Sequence, residues 1–179
     1  METYVALLRA VNVAGKNLIK MEALRDCLEA SGLCSVKTYL QSGNLVFQAG
    51  AQFSSRSLVD HIKKIILKKF GFSVSVIIRS PQELAKLIKE QASFGTGKSQ
   101  SSLYFTFLAE RPSKEGVQKL HEVPAKKDLF LLRGKEIFIY CANGYGRTKL
   151  TNSVIEKCLG EVATTRNWKT VRQLYEMTL

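Results

Sequence analysis

The sequence predicts an α+β protein made of two tandem ferredoxin-like (βαββαβ) modules packed together, plus a linking helix and a C-terminal helix. Three observations predict it. Hydrophobic segments alternate between a period of two and a period near 3.6 in the order strand, helix, strand, strand, helix, strand, and the order then begins again. The two central strands of each set are joined by a short glycine-bearing turn. Hydrophobic residues make up 45% of 179, enough for a substantial core. The expected boundaries are residues 1–79 for the first module, 80–102 for a linking helix and Gly/Ser-rich loop, and 103–179 for the second module with its C-terminal helix.

Tyr4–Arg9 reads as the first strand, followed by a loop with Asn12, Gly15 and Asn17. Lys20–Ser31 reads as a helix with Met21, Leu24, Cys27 and Leu28 on one face and Gly32 as its stop. Val36–Leu40 and Leu45–Gln48 form a hairpin around Gln41-Ser42-Gly43-Asn44, where glycine supplies positive φ. A helix over Ser57–Phe70 and a strand over Phe72–Arg79 complete the first set.

Ser80 as N-cap and Pro81 at the first helical position open the linking helix, which runs to about Gln91. Beyond the Gly/Ser-rich stretch come a strand at Leu103–Leu108, a helix at Ser113–Glu122, and strands at Leu129–Leu132 and Glu136–Cys141 around Arg133-Gly134. A helix over Leu150–Leu159 stopped by Gly160, a short strand near Val162–Thr165 and a helix capped by Asn167 finish the chain. The strands Leu103–Leu108 and Leu129–Leu132 are apolar at every other position and between, which predicts a sheet covered on both sides. The two halves share a pattern of elements and no visible residue identities.

The net charge is +12, and each of residues 1–80 and 81–179 contributes +6. With no basic tail, a surface for a polyanion must be assembled by the fold. This charge favours RNA, DNA or phosphorylated ligands, and it equally serves solubility. Cys27, Cys34, Cys141 and Cys158 form no C-x-x-C pair, and His61 and His121 have no ligand spacing, so neither a metal site nor a cofactor is expected. The first residues are too soon charged for a signal peptide, and no apolar run approaches the ~20 residues of a membrane helix. A reduced, cytoplasmic protein without membrane contact is the expectation.

The most informative stretch is Asn143-Gly144-Tyr145-Gly146-Arg147-Thr148-Lys149-Leu150-Thr151-Asn152. Strand, glycine turn, two cations and a helix start suit an anion, because the first helical N–H groups lack partners within the helix. They also suit an ordinary corner, in which Thr148 caps the helix and Ser153 with Glu156 offers a competing capping box. The stretch around Arg166, Asn167 and Trp168 has the same character, with Trp168 more at home in a core than on a base. Lys63, Lys64, Lys68 and Lys69 form a charged run on one helix, readable as a solvated face or as a phosphate contact. The loop from Ala10 to Asn17 resembles a P-loop but has Ala10 where a Walker motif needs glycine and Asn17 where it needs Ser or Thr. The strand Asn44–Gln48 lacks the aromatic signature of an RNA-recognition motif. No catalytic grouping is recognisable.

Several phrases together resemble the bacterial family called domain of unknown function 1697, essentially end to end: Tyr4-Val5-Ala6-Leu7-Leu8-Arg9, Asn12-Val13, Gly15-Lys16-Asn17, Tyr39-Leu40-Gln41-Ser42-Gly43-Asn44, residues 143–152 and Ala163–Trp168. Where that family usually has glycine after the arginine of the first strand, and a Gly-Gly pair before the lysine, this chain has Ala10 and Ala14. The resemblance implies an α+β fold of ferredoxin-like plan and brings no established activity.

The candidate ligand-binding set is therefore Arg9, Asn12, Lys16, Asn17, Asn143, Tyr145, Arg147, Lys149, Asn152, Arg166 and Asn167. The leading expectation is a phosphate-bearing partner, nucleic acid ahead of a small phosphorylated metabolite. The alternatives are an enzyme acting on a phosphorylated or nucleotide substrate near Tyr145 or Asn143, and an interaction module with no ligand.

Overall fold

A computed structural model of the chain describes all 179 residues. They form two compact units: Met1–Leu84 together with Leu174–Leu179, and Ala85–Gln173. The protein is α+β, with two four-stranded antiparallel sheets and six α-helices.

The first unit is built from β1 (Glu2–Leu8), α1 (Met21–Ala30), β2 (Cys34–Tyr39), β3 (Asn44–Ala49), α2 (Ser55–Phe70) and β4 (Val76–Arg79). The strands lie in the order β2-β3-β1-β4. Alternation decides which side chains face the helices: Tyr4, Ala6 and Leu8 of β1 join Leu45 and Phe47 of β3 and Val76 and Ile78 of β4 against Leu24 and Leu28 of α1 and Leu58, Ile62 and Ile66 of α2. Each such Val, Leu, Ile or Phe side chain contributes about 1.5–3 kcal/mol by leaving water. The opposite parity, Val5, Leu7, Val46 and Ile77, is buried as well, so this sheet is apolar on both faces. A capping box of Ser54 and Ser57 starts α2, and Gly71 in the left-handed region ends it.

The hairpin between β2 and β3 forms where the sequence predicts it. Asn44, fully buried, donates from Nδ2 to the Tyr39 carbonyl (2.8 Å) and Ser42 Oγ (2.9 Å), which closes the turn from inside. Gly43 has φ +77°, and a Cβ there would lie 2.5 Å from Val11 Cγ2 and 2.7 Å from Leu8 Cβ.

In the second unit, β5 (Leu103–Leu108), α4 (Lys114–His121), β6 (Leu129–Arg133), β7 (Glu136–Tyr140), α5 (Asn152–Leu159) and β8 (Ala163–Asn167) repeat the element order, with the sheet arranged β6-β7-β5-β8. Leu108, Ile137 and Ile139 pack with Leu120 of α4 and Ile155 and Leu159 of α5. Two further helices, α3 (Pro81–Phe94) and α6 (Trp168–Glu176), follow β4 and β8 and each continues from one unit into the other. Within the second unit Trp168 packs on Phe105 and Phe94 on Phe138, with centroids 5.5 and 5.8 Å apart. Trp168 is thus a core residue.

Several boundaries differ from expectation for physical reasons. β4 starts at Val76, because Ser73–Ser75 leaves the regular ladder although the Ser75 carbonyl still accepts from Arg9 N–H. α3 runs to Phe94, into the Gly/Ser-rich stretch, because that phenylalanine has Phe138 to pack on. β6 is not covered on both sides: it is an edge strand, and Leu129 is 50% exposed.

The halves share more than a pattern. Leu8 and Leu108 each donate across the following hairpin, to the Gly43 and Lys135 carbonyls (both 2.8 Å), and Arg9 and Ala109 each donate to the strand entry, at Ser75 and Val162 (both 2.9 Å). In that common frame Arg79 faces Val5 and Arg166 faces Phe105, at the same step of β4 and β8. Both arginines are buried, at 1% and 9% exposure, and both donate to the carbonyl of the preceding residue. Each is followed by a capping residue, Ser80 or Asn167, and then by a helix.

Candidate anion-binding loops

The loop joining β7 to α5 is held at five points. Ala142 N–H donates to Asp128 Oδ1 (2.8 Å) at its start. The Tyr145 ring lies on Tyr104 with centroids 4.9 Å apart. Thr148 is buried and its Oγ1 accepts from Leu150 N–H (3.1 Å). Leu150 sits fully in the core. Finally, Thr165 Oγ1 donates to Asn152 Oδ1 (2.6 Å), and with that proton committed Thr106 donates to Thr165 (2.6 Å), tying the start of α5 to the sheet.

This geometry corrects the simple picture of a glycine turn feeding a helix. Gly144, at φ +81°, opens a single 3₁₀ turn at Tyr145–Arg147, and α5 begins only at Asn152. The cap is Thr151, which accepts from Val154 N–H (3.3 Å); neither Thr148 nor the Ser153/Glu156 pair does this. Glu156 instead accepts from Ala163 N–H (3.0 Å). Arg147 and Lys149 therefore stand on the connection before the helix, not at its first turn.

What the loop presents to solvent is Asn143, Gly146, Arg147 and Lys149. Gly144 needs glycine for its φ. Gly146 does not: its φ is not positive, and a Cβ there would meet nothing within 4 Å. Neither fold nor packing asks for glycine at this position, which leaves the backbone beside Arg147 open to close approach.

In the first unit, the loop after β1 is dominated by left-handed backbone. Ala10, Asn12, Ala14 and Asn17 have φ of 57°, 54°, 49° and 50°, and Gly15 has 74°. Asparagine tolerates this region; alanine does so at a cost of roughly 1–2 kcal/mol. The two alanines stand where the resembled family has glycine, so the loop keeps its shape without the residue that would relax it. Asn12 is structural: Nδ2 donates to the Ile19 (3.0 Å) and Gln41 (2.7 Å) carbonyls, and Oδ1 accepts from Ile19 N–H (2.8 Å). Asn17 Nδ2 donates to the Ala10 carbonyl (3.0 Å). Lys16 is exposed, and Arg9 is half-buried at the end of β1.

Of the eleven expected ligand residues, Arg147 and Lys149 with Asn143, in one loop, and Lys16, in another, point to solvent from structured positions. Asn12, Asn17, Tyr145 and Asn152 hold their own loops. Asn167 Oδ1 caps α6 through Thr170 N–H (2.8 Å), and the Arg166 guanidinium donates inward to Thr164 Oγ1 (2.8 Å). The sequence reading missed Asp128 and Tyr104, whose spacing from the motif gives no local signal.

Reactive groups are quiet. The Cys141 thiol is pushed up to about 11 by burial and the nearby Asp128 charge, partly offset by a hydrogen bond with Thr148, so it is a neutral thiol near pH 7. His61 Nε2 lies 2.8 Å from Ser31 Oγ, but that hydroxyl proton goes to the Leu28 carbonyl (2.7 Å), so Nε2 donates to Ser31 and does not draw its proton to make a nucleophile. No group of three or more His, Cys, Asp or Glu is arranged to hold a metal ion, and no helix is long and apolar enough to cross a membrane.

Residues 1–138 match the family model described as "Protein of unknown function (DUF1697)". The chain belongs to that family. The DUF1697 match ends before residues 143–152, so the end-to-end resemblance is narrower than the motifs imply. The structure is similar to that of the conserved bacterial protein SP0830 from Streptococcus pneumoniae, with a TM-score of 0.80, 23% identity, and 99% of each chain covered. At that identity the likeness speaks for the fold alone. No curated protein sequence matches the chain.

Proposed function

We propose that this DUF1697 protein binds nucleic acid through its phosphate backbone, with Arg147 and Lys149 as the principal contacts of the loop between β7 and α5. The observation that carries the reading is Gly146, a glycine that neither backbone conformation nor packing requires, lying between Tyr145 and the exposed Arg147. The Arg147 and Thr148 N–H groups are spent on the Gly144 and Tyr145 carbonyls (3.2 and 3.3 Å), so a phosphate would take the guanidinium fork of Arg147 with the unobstructed backbone at Gly146 beside it. Anchoring at Tyr145, Thr148 and Thr151 keeps the ordering cost of binding low. The net charge of +12 favours the encounter. We further read each unit as a ferredoxin-like module, supported by the βαββαβ order and the strand orders β2-β3-β1-β4 and β6-β7-β5-β8. Four free cysteines support a reducing, cytoplasmic setting.

The test is fluorescence anisotropy of labelled RNA and DNA oligonucleotides at 50 and 200 mM salt. Binding should weaken steeply with salt, and R147E/K149E should lower affinity about 10–100-fold at 100 mM. G146A should leave stability unchanged and still weaken binding several-fold. Absence of binding at 50 mM salt, or binding indifferent to salt, refutes the reading. Binding of nucleotides but not of oligonucleotides would instead favour a small phosphorylated ligand.

A further inference from the structure

Each sheet has two edges, and three of the four are closed to a further strand. β4 is buried along its whole length, and β8 is buried at Ala163, Thr164 and Arg166. β2 breaks its register between Cys34 and Lys37, where Ser35 stands at φ +51°, and a bulge beside an exposed lysine blunts an edge. β6 has none of these defences. It pairs with β7 in unbroken register from Leu129–Tyr140 to Arg133–Glu136, contains no proline, and is nowhere fully buried.

Phe130 and Leu132 carry the outward backbone groups of that edge. Leu108 N–H donates to the Lys135 carbonyl (2.8 Å) and Cys141 N–H to the Ser102 carbonyl (2.9 Å), so the odd-numbered residues of β7 and its flanks turn their backbone groups to β5. The even-numbered ones, Glu136, Phe138 and Tyr140, therefore bond to Arg133, Leu131 and Leu129. The N–H and C=O of Phe130 and Leu132 point away from the sheet, and no loop or side chain takes them. On one face of this edge Leu131 is half-buried and Leu129 is 50% exposed. Lys127 before the strand and Arg133 at its end are exposed and form no ion pair, although Glu136 stands opposite Arg133 in the ladder. Asp128 is already engaged by Ala142 N–H (2.8 Å).

We propose that β6 docks an extended segment of an acidic protein partner, added antiparallel as a fifth strand, with its apolar middle along Leu129 and Leu131 and acidic residues opposite Lys127 and Arg133. Outward N–H and C=O groups in alternation ask for another extended backbone, and a nucleic acid has no such ladder to offer. The cations decide against a second copy of this chain. Pairing Phe130 with Leu132 of a twofold-related copy brings Lys127 to Lys135 in that copy's turn, and pairing Phe130 with itself sets Lys127 opposite Arg133. Pairing Leu132 with itself overlaps only Leu131–Arg133. Like charges directly opposite one another oppose strand pairing, whereas carboxylates at the same positions favour it. This surface is separate from the loop of Arg147 and Lys149 and does not depend on the nucleic-acid reading.

The experiment follows the fluorescence anisotropy of the labelled peptide Glu-Val-Ile-Thr-Val-Thr-Glu with the full-length protein at low salt. Two comparison peptides carry lysine at both ends, or N-methyl groups at the second and fourth residues, which removes the donors that meet the Leu132 and Phe130 carbonyls. The Glu-ended peptide should bind about 5–30-fold more tightly than the Lys-ended one, and methylation should cost about tenfold or more. K127E/R133E should reverse the order of the two end-charge peptides with thermal unfolding unchanged, since both positions are exposed. R147E/K149E should bind the Glu-ended peptide as wild type does. No binding of that peptide at about 1 mM, a methylated peptide within about twofold of it, or an order that K127E/R133E fails to reverse overturns the proposal. Displacement of the peptide by oligouridine overturns it in favour of a nucleic-acid surface. A dimer in sedimentation whose Phe130 and Leu132 amides resist hydrogen exchange overturns it in favour of a second copy.

Discussion

Replacing Gly43 with alanine tests the packing of the β2–β3 hairpin against the loop after β1. Two costs follow from the structure. The residue sits at φ +77°, where a Cβ costs about 1–2 kcal/mol. That Cβ would also lie 2.5 Å from Val11 Cγ2 and 2.7 Å from Leu8 Cβ, neither of them the end of a flexible chain, so backbone must move. Overpacking of this kind costs about 1–3 kcal/mol. Reduced entropy of the unfolded chain returns about 0.4–1 kcal/mol. The net is a destabilisation of about 1–4.6 kcal/mol, equivalent to a Tm lower by roughly 3–14 °C at about 3 °C per kcal/mol for a chain of this size. Urea unfolding followed by circular dichroism reads the shift in midpoint at constant m. Val11→Ala in the same background removes the nearer contact, and the double-mutant cycle should show coupling of about 1 kcal/mol or more. A loss below 0.5 kcal/mol for G43A, or strict additivity with V11A, would refute the claim that the hairpin turn is pressed against this loop.

Ala10→Gly and Ala14→Gly should each be neutral to about 1 kcal/mol stabilising, since relief of the left-handed strain competes with glycine's entropy, and thermal unfolding decides the sign. Thr151→Ala should cost about 0.5–2 kcal/mol by removing the α5 cap, whereas Ser153→Ala should be near neutral in the same denaturation assay. The Cys141 thiol is held protonated in the folded state, so its contribution is fully present below pH 9 and lost as pH rises from about 9 to about 11; Cys141→Ala should flatten stability across that window. With Ellman's reagent at pH 8, Cys27, Cys34 and Cys158 should react in the native protein, and Cys141 only after unfolding.

The sheets and helices were legible because their periodicity is local: Leu58, Ile62 and Ile66 on α2, or Ser80 before Pro81, announce themselves within a few residues. What was not legible depended on partners far away in the chain. Tyr145 looks like a ligand residue until Tyr104 is seen beneath it, and Asn12 looks like an anion contact until its amide is found bridging Ile19 and Gln41. Arg166 reads as a surface cation, yet a strand beside β5 buries it, as β4 buries Arg79 beside β1. Thr148 reads as the cap of α5 with Ser153 and Glu156 as the competing box, yet Thr148 and Leu150 are buried ahead of the helix and the cap falls to Thr151. The family model covers only the first 138 residues, so it leaves residues 143–152 to be judged on geometry.

The make-up of the first unit bears on how the protein is made. It draws Leu174–Leu179 from beyond the whole of Ala85–Gln173. A ribosome adding about 5–20 residues per second would need roughly 5–18 s to pass through that intervening stretch. Throughout that interval the emerging N-terminal unit lacks its last six residues, so its completion is set by translation and not by its own folding rate. Cutting the gene between the two units, at any single point, would leave one piece without a segment that belongs to it.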